Sequence, residues 1–283
     1  MTVAVLLLLA QGVSLEVRAA SGWLPWPMIN AADSAVATPV LDAAVAWRDS
    51  ASWIRVGTFD IRAGGSLRNS VAVLDIDPRQ VRFSLGLTTP DSRRSASEWM
   101  NADTTLLMAV NTGLFRENGT PQGLVLIDGR RASGLAGWLD VVVAIDSAGV
   151  RVTDLEGGRT LATPYAFQTL PWLVRNGRVA LGATSGLRLS RTHRDRRITL
   201  CWMPSGMLRF MLSNFEVFGA NAGRIPIGLT IPEQAAIAAG AGCRDAIALD
   251  GGISAQIAYR ANGRLQRMPG WRKVPLMLLI HRR

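Results

Sequence analysis

Gly242-Cys243-Arg244-Asp245-Ala246-Ile247-Ala248-Leu249-Asp250-Gly251-Gly252-Ile253-Ser254 is a short apolar run closed by an acid and two glycines. Residues 246–249 are read as a buried strand, since they are apolar throughout and bounded by turn residues. Asp250 then stands where the strand leaves the core. Such exits gather functional side chains, and glycine there permits positive φ and close approach of a ligand to the backbone. An ordinary Asp-Gly turn has the same composition, so the meaning of this segment depends on what the rest of the chain brings to it.

Upstream, Ala109-Val110-Asn111-Thr112-Gly113-Leu114-Phe115 repeats the arrangement: an apolar run over 106–110 stops at Asn111, and glycine follows. Asparagine tolerates left-handed geometry and offers both a donor and an acceptor. Most of the chain past residue 50 consists of short apolar runs separated by turn residues. Residues 71–75 and 81–87 flank Asp77-Pro78-Arg79, 141–145 and 150–153 flank Asp146 to Gly149, and 173–175 and 179–181 flank Asn176-Gly177. Residues 198–203 and 207–212 flank Pro204-Ser205-Gly206, and 253–260 alternate before Ala261-Asn262-Gly263. Each pair reads as a hairpin. Helices are expected over 95–101 and 232–239. In the second, Pro232 and Glu233 suit the first turn, and Gly240 and Gly242 close the end. The expected class is α+β, with hairpin-rich β-sheets and a few packed helices.

Four segments in order resemble the phosphodiester glycosidase family. Asn111-Thr112-Gly113-Leu114-Phe115 is similar to its Asn-Gly-Gly-Tyr-Phe, and Phe167 through Gly177 to its Gln-x-Gly-Pro-x-Leu-Val-x-x-Gly segment. Gly228 through Ala235 is similar to the helix start that precedes the family's Leu-Asp-Gly-Gly-Gly-Ser, and Leu249 through Ser254 to that motif itself. Thr112 and Ile253 each replace a family glycine. His193 through Thr199 matches the family's Arg-Thr-Ala-x-Gly strand only loosely. The resemblance spans roughly Trp53 to the C-terminus. It implies a hydrolase acting on sugar-1-phosphodiester linkages in glycans or envelope polymers; bacterial members are associated with exopolysaccharide. The alternative is a non-catalytic glycan-binding or exopolysaccharide-assembly protein on the same fold.

Cleavage of a sugar–phosphate bond needs a carboxylate near the sugar, donors for the phosphate and polar groups for hydroxyls. Asp250 and Asn111 are the catalytic candidates. Arg194 and Arg196 are candidate phosphate ligands through the guanidinium fork, although such a cluster also suits a solvated basic loop. Gly251 and Gly252 are expected to offer backbone amides and Ser254 a hydroxyl, with Gly113 beside them. Trp172 suits either a sugar platform or the core. Asp195, Asp128 and Glu117 are candidates for a second acid. His193 and His281 are too far apart in sequence to suggest a His-rich metal centre. No cofactor is expected, and an oxygen-ligated divalent cation near Asp250 is left open.

The 283 residues are 48% hydrophobic and 18% charged, a globular composition. The net charge of +10 comes from scattered arginines with Lys273 as the only lysine, and no nucleic-acid-binding motif accompanies them. Nucleic acid is therefore not an expected partner. The apolar run over 3–10 is too short to span a bilayer. It resembles the centre of a signal peptide ending near Ala19 or Ala20. The expected organisation is a leader over 1–20, a linker over 21–50 and one domain over 51–283, secreted or periplasmic. Cys201 and Cys243 are either a disulfide or two buried thiols.

Overall fold

The computed structural model describes residues 15–19, 22–25, 44–63, 67–181, 190–215 and 227–283. These are mostly antiparallel strands arranged in three sheets, and three α-helices pack on them. The architecture is thus mostly β with a few helices. The largest sheet has ten strands, and its centre runs from Trp172–Arg175 through Asp245–Leu249, Ile198–Trp202 and Leu208–Phe215 to Leu67–Ile76 and Ile54–Ala63. One five-stranded sheet is built around Leu106–Asn111, between Ile257–Ala261 and Leu276–Arg282. The other is built around Val141–Asp146 and Tyr165–Thr169.

The Asp245–Leu249 strand explains how the layers assemble. Successive side chains point to opposite faces. Ile247 and Leu249 enter the main core, which joins all three sheets through Leu200, Phe210, Phe83, Met108, Val143 and Phe167. Ala246 and Ala248 point the other way, into a second core with Ala235 and Ala238. Small residues on that face let the helix Ile231–Gly240 lie close. Burial of each large apolar side chain in these layers contributes about 1.5–3 kcal/mol.

Both expected helices form, each bounded by a capping box. Ser95 accepts from the Glu98 amide while Glu98 caps the Ser95 amide, at the start of Ala96–Ala102. Thr230 and Glu233 do the same for Ile231–Gly240. A third helix, Leu155–Arg159, was not legible in the sequence because it holds two adjacent glycines; Asp154 caps it.

Hairpins at Asn176-Gly177, Pro204-Ser205-Gly206, residues 146–149 and Asn262-Gly263 all form. Two expectations need correction. Val81–Leu87 does not pair with the strand before it but with Leu276–Arg282 in a different sheet. The turn itself is genuine, with Arg79 bonded to Asp77, but it carries the chain from one layer to the next. The expected strand over 253–260 begins only at Ile257, because Gly252–Ser254 is a 3-10 turn.

Parts of the expected leader and linker lie within the sheet. Leu15–Ala19 pairs with Gly22–Pro25 and with Ile54–Ala63, which buries Leu15 and Val17. Ala46–Ala51 also pairs with Ile54–Ala63. The apolar run over 3–10 lies outside the described residues. No helix among the described residues is long and apolar enough to cross a membrane.

Cys201 and Cys243 form a disulfide with Cα atoms 5.6 Å apart. It ties the Ile198–Trp202 strand to the chain just after the helix Ile231–Gly240. Closing a loop across a separation of 42 residues stabilises by about 3–4 kcal/mol. The double variant Cys201→Ser/Cys243→Ser is expected to lose roughly that amount in urea unfolding. A loss below about 1 kcal/mol would show that the unfolded chain gains little freedom without the bridge.

Candidate functional site

Asn111 and Asp250, 139 residues apart, meet. The Asn111 Nδ2 donates to the Asp250 carbonyl at 2.6 Å, and its Oδ1 accepts from the Gln256 amide at 2.8 Å. The Asp250 amide donates to the Thr112 carbonyl at 2.7 Å. The end of the Leu106–Asn111 strand is thus fastened to the turn after Asp245–Leu249. Asn111 is buried and both ends of its amide bind backbone. These bonds hold the Asp250 turn.

The turn is built on close approaches. A Cβ on Gly251 would lie 2.6 Å from the Arg196 carbonyl, and one on Gly113 would lie 2.7 Å from the Gln168 carbonyl. Gly252 has φ +63, and a Cβ there would meet the Asp195 Oδ2 at 2.8 Å. Side chains at these positions would push the chain segments apart. Thr112 and Ile253, where the family has glycine, do not adopt positive φ, so nothing in their backbone demands glycine. Of the two amides expected to face a ligand, that of Gly252 donates to the Arg196 carbonyl. The Gly252 amide is therefore spent within the fold.

Two carboxylates converge at Gly252. Burial pushes Asp250 up to about 7, opposed by the Ser254 hydroxyl and the Arg272 charge and reinforced by the Asp195 charge. Its Oδ2 is enclosed and has no hydrogen-bond partner among the described residues. Asp195 is also raised, first by desolvation, with Arg197, the Arg196 amide and His193 pulling it down. His193 Nε2 lies 3.7 Å from its Oδ2. Of the three candidate second acids, only Asp195 joins Asp250. Asp128 accepts from the Tyr165 hydroxyl at 2.6 Å and lines a separate recess of about 680 Å3 with Leu124, Arg131 and Thr163. Glu117 is exposed in the turn that follows Phe115. His281 bonds Ser84 in another strand pair.

Both expected phosphate ligands make bonds within the fold. Arg194 makes a bidentate pair with Glu233, both bonds 2.8 Å, and fixes the start of the helix Ile231–Gly240. Arg196 is 2% exposed; its Nη1 donates to the carbonyls of Ala255 and Pro269, and its Nε to Asn214. These bonds engage both guanidinium groups within the fold. Trp172 belongs to the core, with Nε1 on the Asp140 carbonyl. Sequence reasoning missed Gln256, Trp271 and Arg272. Gln256 is buried and joins the Ala96 amide to the carbonyls of Ser254 and Arg272. The one available signal was an aromatic and a cation side by side after Pro269-Gly270. No group of three His, Cys, Asp or Glu among the described residues is placed to hold a metal ion.

The sequence profile of the phosphodiester glycosidase family matches residues 104–281, which include Asn111, Asp195 and Asp250. No match is found among curated proteins. Among solved structures, the chain is similar to the zebrafish N-acetylglucosamine-1-phosphodiester alpha-N-acetylglucosaminidase catalytic domain, auto-inhibited by its pro-peptide. Identity is 17% and TM-score 0.64, over 89% of this chain and 93% of that one. A hypothetical protein from Synechocystis matches at 15% identity and TM-score 0.62, over 84% of this chain and 64% of that one, so this chain spans under two thirds of its length. A Burkholderia pseudomallei protein named as exported matches at 13% identity and TM-score 0.55, over 95% of this chain and 86% of that one. These identities establish shared fold alone, whereas the profile covers more than half of the sequence: the chain belongs to the phosphodiester glycosidase family.

Proposed function

We propose that the protein hydrolyses the bond between a sugar C1 and the oxygen of a phosphodiester in a glycan or envelope polymer. Water adds at C1, the C1–O bond breaks, and a phosphate monoester leaves with the bonding electrons. The observation that carries this reading is the pair Asp250 and Asp195, both raised by burial, with Asp250 raised further by the Asp195 charge. Burial keeps a proton on Asp250 up to about 7, which leaves the pair with one charged and one protonated member. Its charged member takes the proton from the attacking water, and its protonated member donates to the sugar or the departing oxygen. A phosphate leaving group needs little acid assistance, so one shared proton suffices.

Export to an oxidising compartment, secreted or periplasmic, is part of this proposal. The Cys201–Cys243 disulfide supports it.

The test is incubation with a sugar-1-phosphodiester and identification of the products. Free sugar and a phosphate monoester are expected, with 18O from labelled water appearing on the sugar C1 hydroxyl. Label in the phosphate would mean P–O cleavage and sink the glycosidase reading. Binding of the glycan without any cleavage would favour the non-catalytic alternative.

A further inference from the structure

A residue that receives a phosphate must keep its donors free and its charge uncompensated. The arginines before the Ile198–Trp202 strand do not meet this requirement. Arg194 is neutralised by Glu233, and Arg196 is buried among carbonyls. Arg197 gives Nε to the Leu229 carbonyl and Nη2 to the His193 carbonyl. Each serves to hold loops around the site.

Arg272 differs in every respect. It is exposed and forms no salt bridge among the described residues. Its main chain is nevertheless fixed. The Arg272 and Trp271 amides both donate to the Ile253 carbonyl, at 3.0 and 2.8 Å, and the Arg272 carbonyl accepts from Gln256 Nε2 at 2.8 Å. Ile253 lies in the turn that carries Asp250, and Gln256 is bonded through its amide to Asn111. The cation is therefore anchored to the same buried framework as the carboxylate. Its guanidinium stands 5.8 Å from the centroid of Phe115, the last residue of the Asn111 motif, which limits where the fork can swing. Its charge also acts on the Asp250 carboxylate. Trp271 is 59% exposed, an unusual position for so large an apolar ring and one that suits stacking beneath a sugar.

We propose that Arg272 is the phosphate-binding residue of this site, with Trp271 and Phe115 as its aromatic flanks, and that Gln256 positions it through the backbone. This rests on the sugar-phosphodiester reading above for its substrate. It assigns anion recognition to the loop between Met268 and Val274 instead of to the arginines at 194–197. In this arrangement the aglycone phosphate approaches from the Phe115 side, and the sugar C1 lies between Arg272 and the carboxylate pair.

The experiment combines calorimetric titration of inorganic phosphate with steady-state kinetics on a sugar-1-phosphodiester. Arg272→Ala, Arg272→Lys and the exposed Arg267→Ala are compared with wild type, with thermal unfolding as a check on folding. Arg272→Ala is expected to weaken phosphate binding and raise KM by at least about tenfold, the loss anticipated for one bidentate charge-assisted contact. Arg272→Lys should recover part of the loss, and Arg267→Ala should behave as wild type. Unchanged phosphate binding in Arg272→Ala overturns the assignment, as does an equal loss in Arg267→Ala, which would mean diffuse attraction to a basic surface. No phosphate binding by wild type overturns it too. If phosphate binding depends on Arg272 but no diester is cleaved, the anion site stands and the hydrolase reading falls. If diesters are cleaved and Arg272→Ala has an unchanged KM, the hydrolase reading stands and the anion site falls.

Discussion

Asp250→Asn is expected to lower turnover on a sugar-1-phosphodiester by at least ~100-fold while the protein stays folded, a loss of roughly 2.7 kcal/mol of transition-state stabilisation. The wild-type pH profile should lose activity as pH rises through about 7, where Asp250 gives up its proton. Stability provides an independent readout with a definite sign. The unfolded chain releases the Asp250 proton near the ordinary aspartate value of about 3.9, whereas the folded protein keeps it until about 7. The stability associated with this retained proton is full below pH ~4 and is lost as pH rises to ~7. Asparagine carries no such linkage. The variant should therefore be more stable than wild type above pH ~7, by about 2 kcal/mol once the residue's partial exposure is allowed for, and should show no such gain below pH ~4. An active Asp250→Asn enzyme would move the chemistry to Asp195. A variant less stable at every pH would show that the buried carboxylate is held by contacts stronger than its desolvation.

Asp75→Ala is expected to cost about 3–5 kcal/mol, because it strands a buried guanidinium. Asp75 and Arg209 face each other across neighbouring strands and are joined by two bonds of 2.6 and 2.8 Å; they are 7% and 4% exposed. Arg209 also donates to the Ala241 carbonyl at 3.0 Å, just past the helix Ile231–Gly240. Urea unfolding of Asp75→Ala, of Arg209→Met and of the double variant checks the account. The double variant should lose less than the sum of the two, since it leaves no unpaired charge behind. A loss below about 1 kcal/mol for Asp75→Ala would mean that water reaches the guanidinium and screens it.

The legible parts of the chain were those governed by local rules. Thr230 to Glu233 specified a helix start, Asn176-Gly177 specified a turn with φ of 51 and 73, and the run ending at Leu249 specified a buried strand. Turns whose strands pair with each other were equally plain. The turn at Asp77-Pro78-Arg79 was read correctly as a turn and wrongly as a hairpin, because chain reversal is local and the choice of sheet is not.

The motifs themselves placed Asn111 and Asp250 in one site, because residues that close buried strands beside glycine are recognisable one segment at a time. The division of labour among the polar residues was decided by the tertiary structure. Arg194 and Arg196 have the composition of phosphate ligands, but folding supplies Glu233 to one and the Ala255 and Pro269 carbonyls to the other. Asn111 looks like a ligand contact, yet its amide is consumed by backbone on both sides. Arg272 carries only the faint local signal of a tryptophan beside it, and its place near Phe115 and the Asp250 turn is set only once the chain returns to Ile253. A sequence records which donors and acceptors exist, whereas three-dimensional proximity determines which of them are already satisfied and which remain for a substrate.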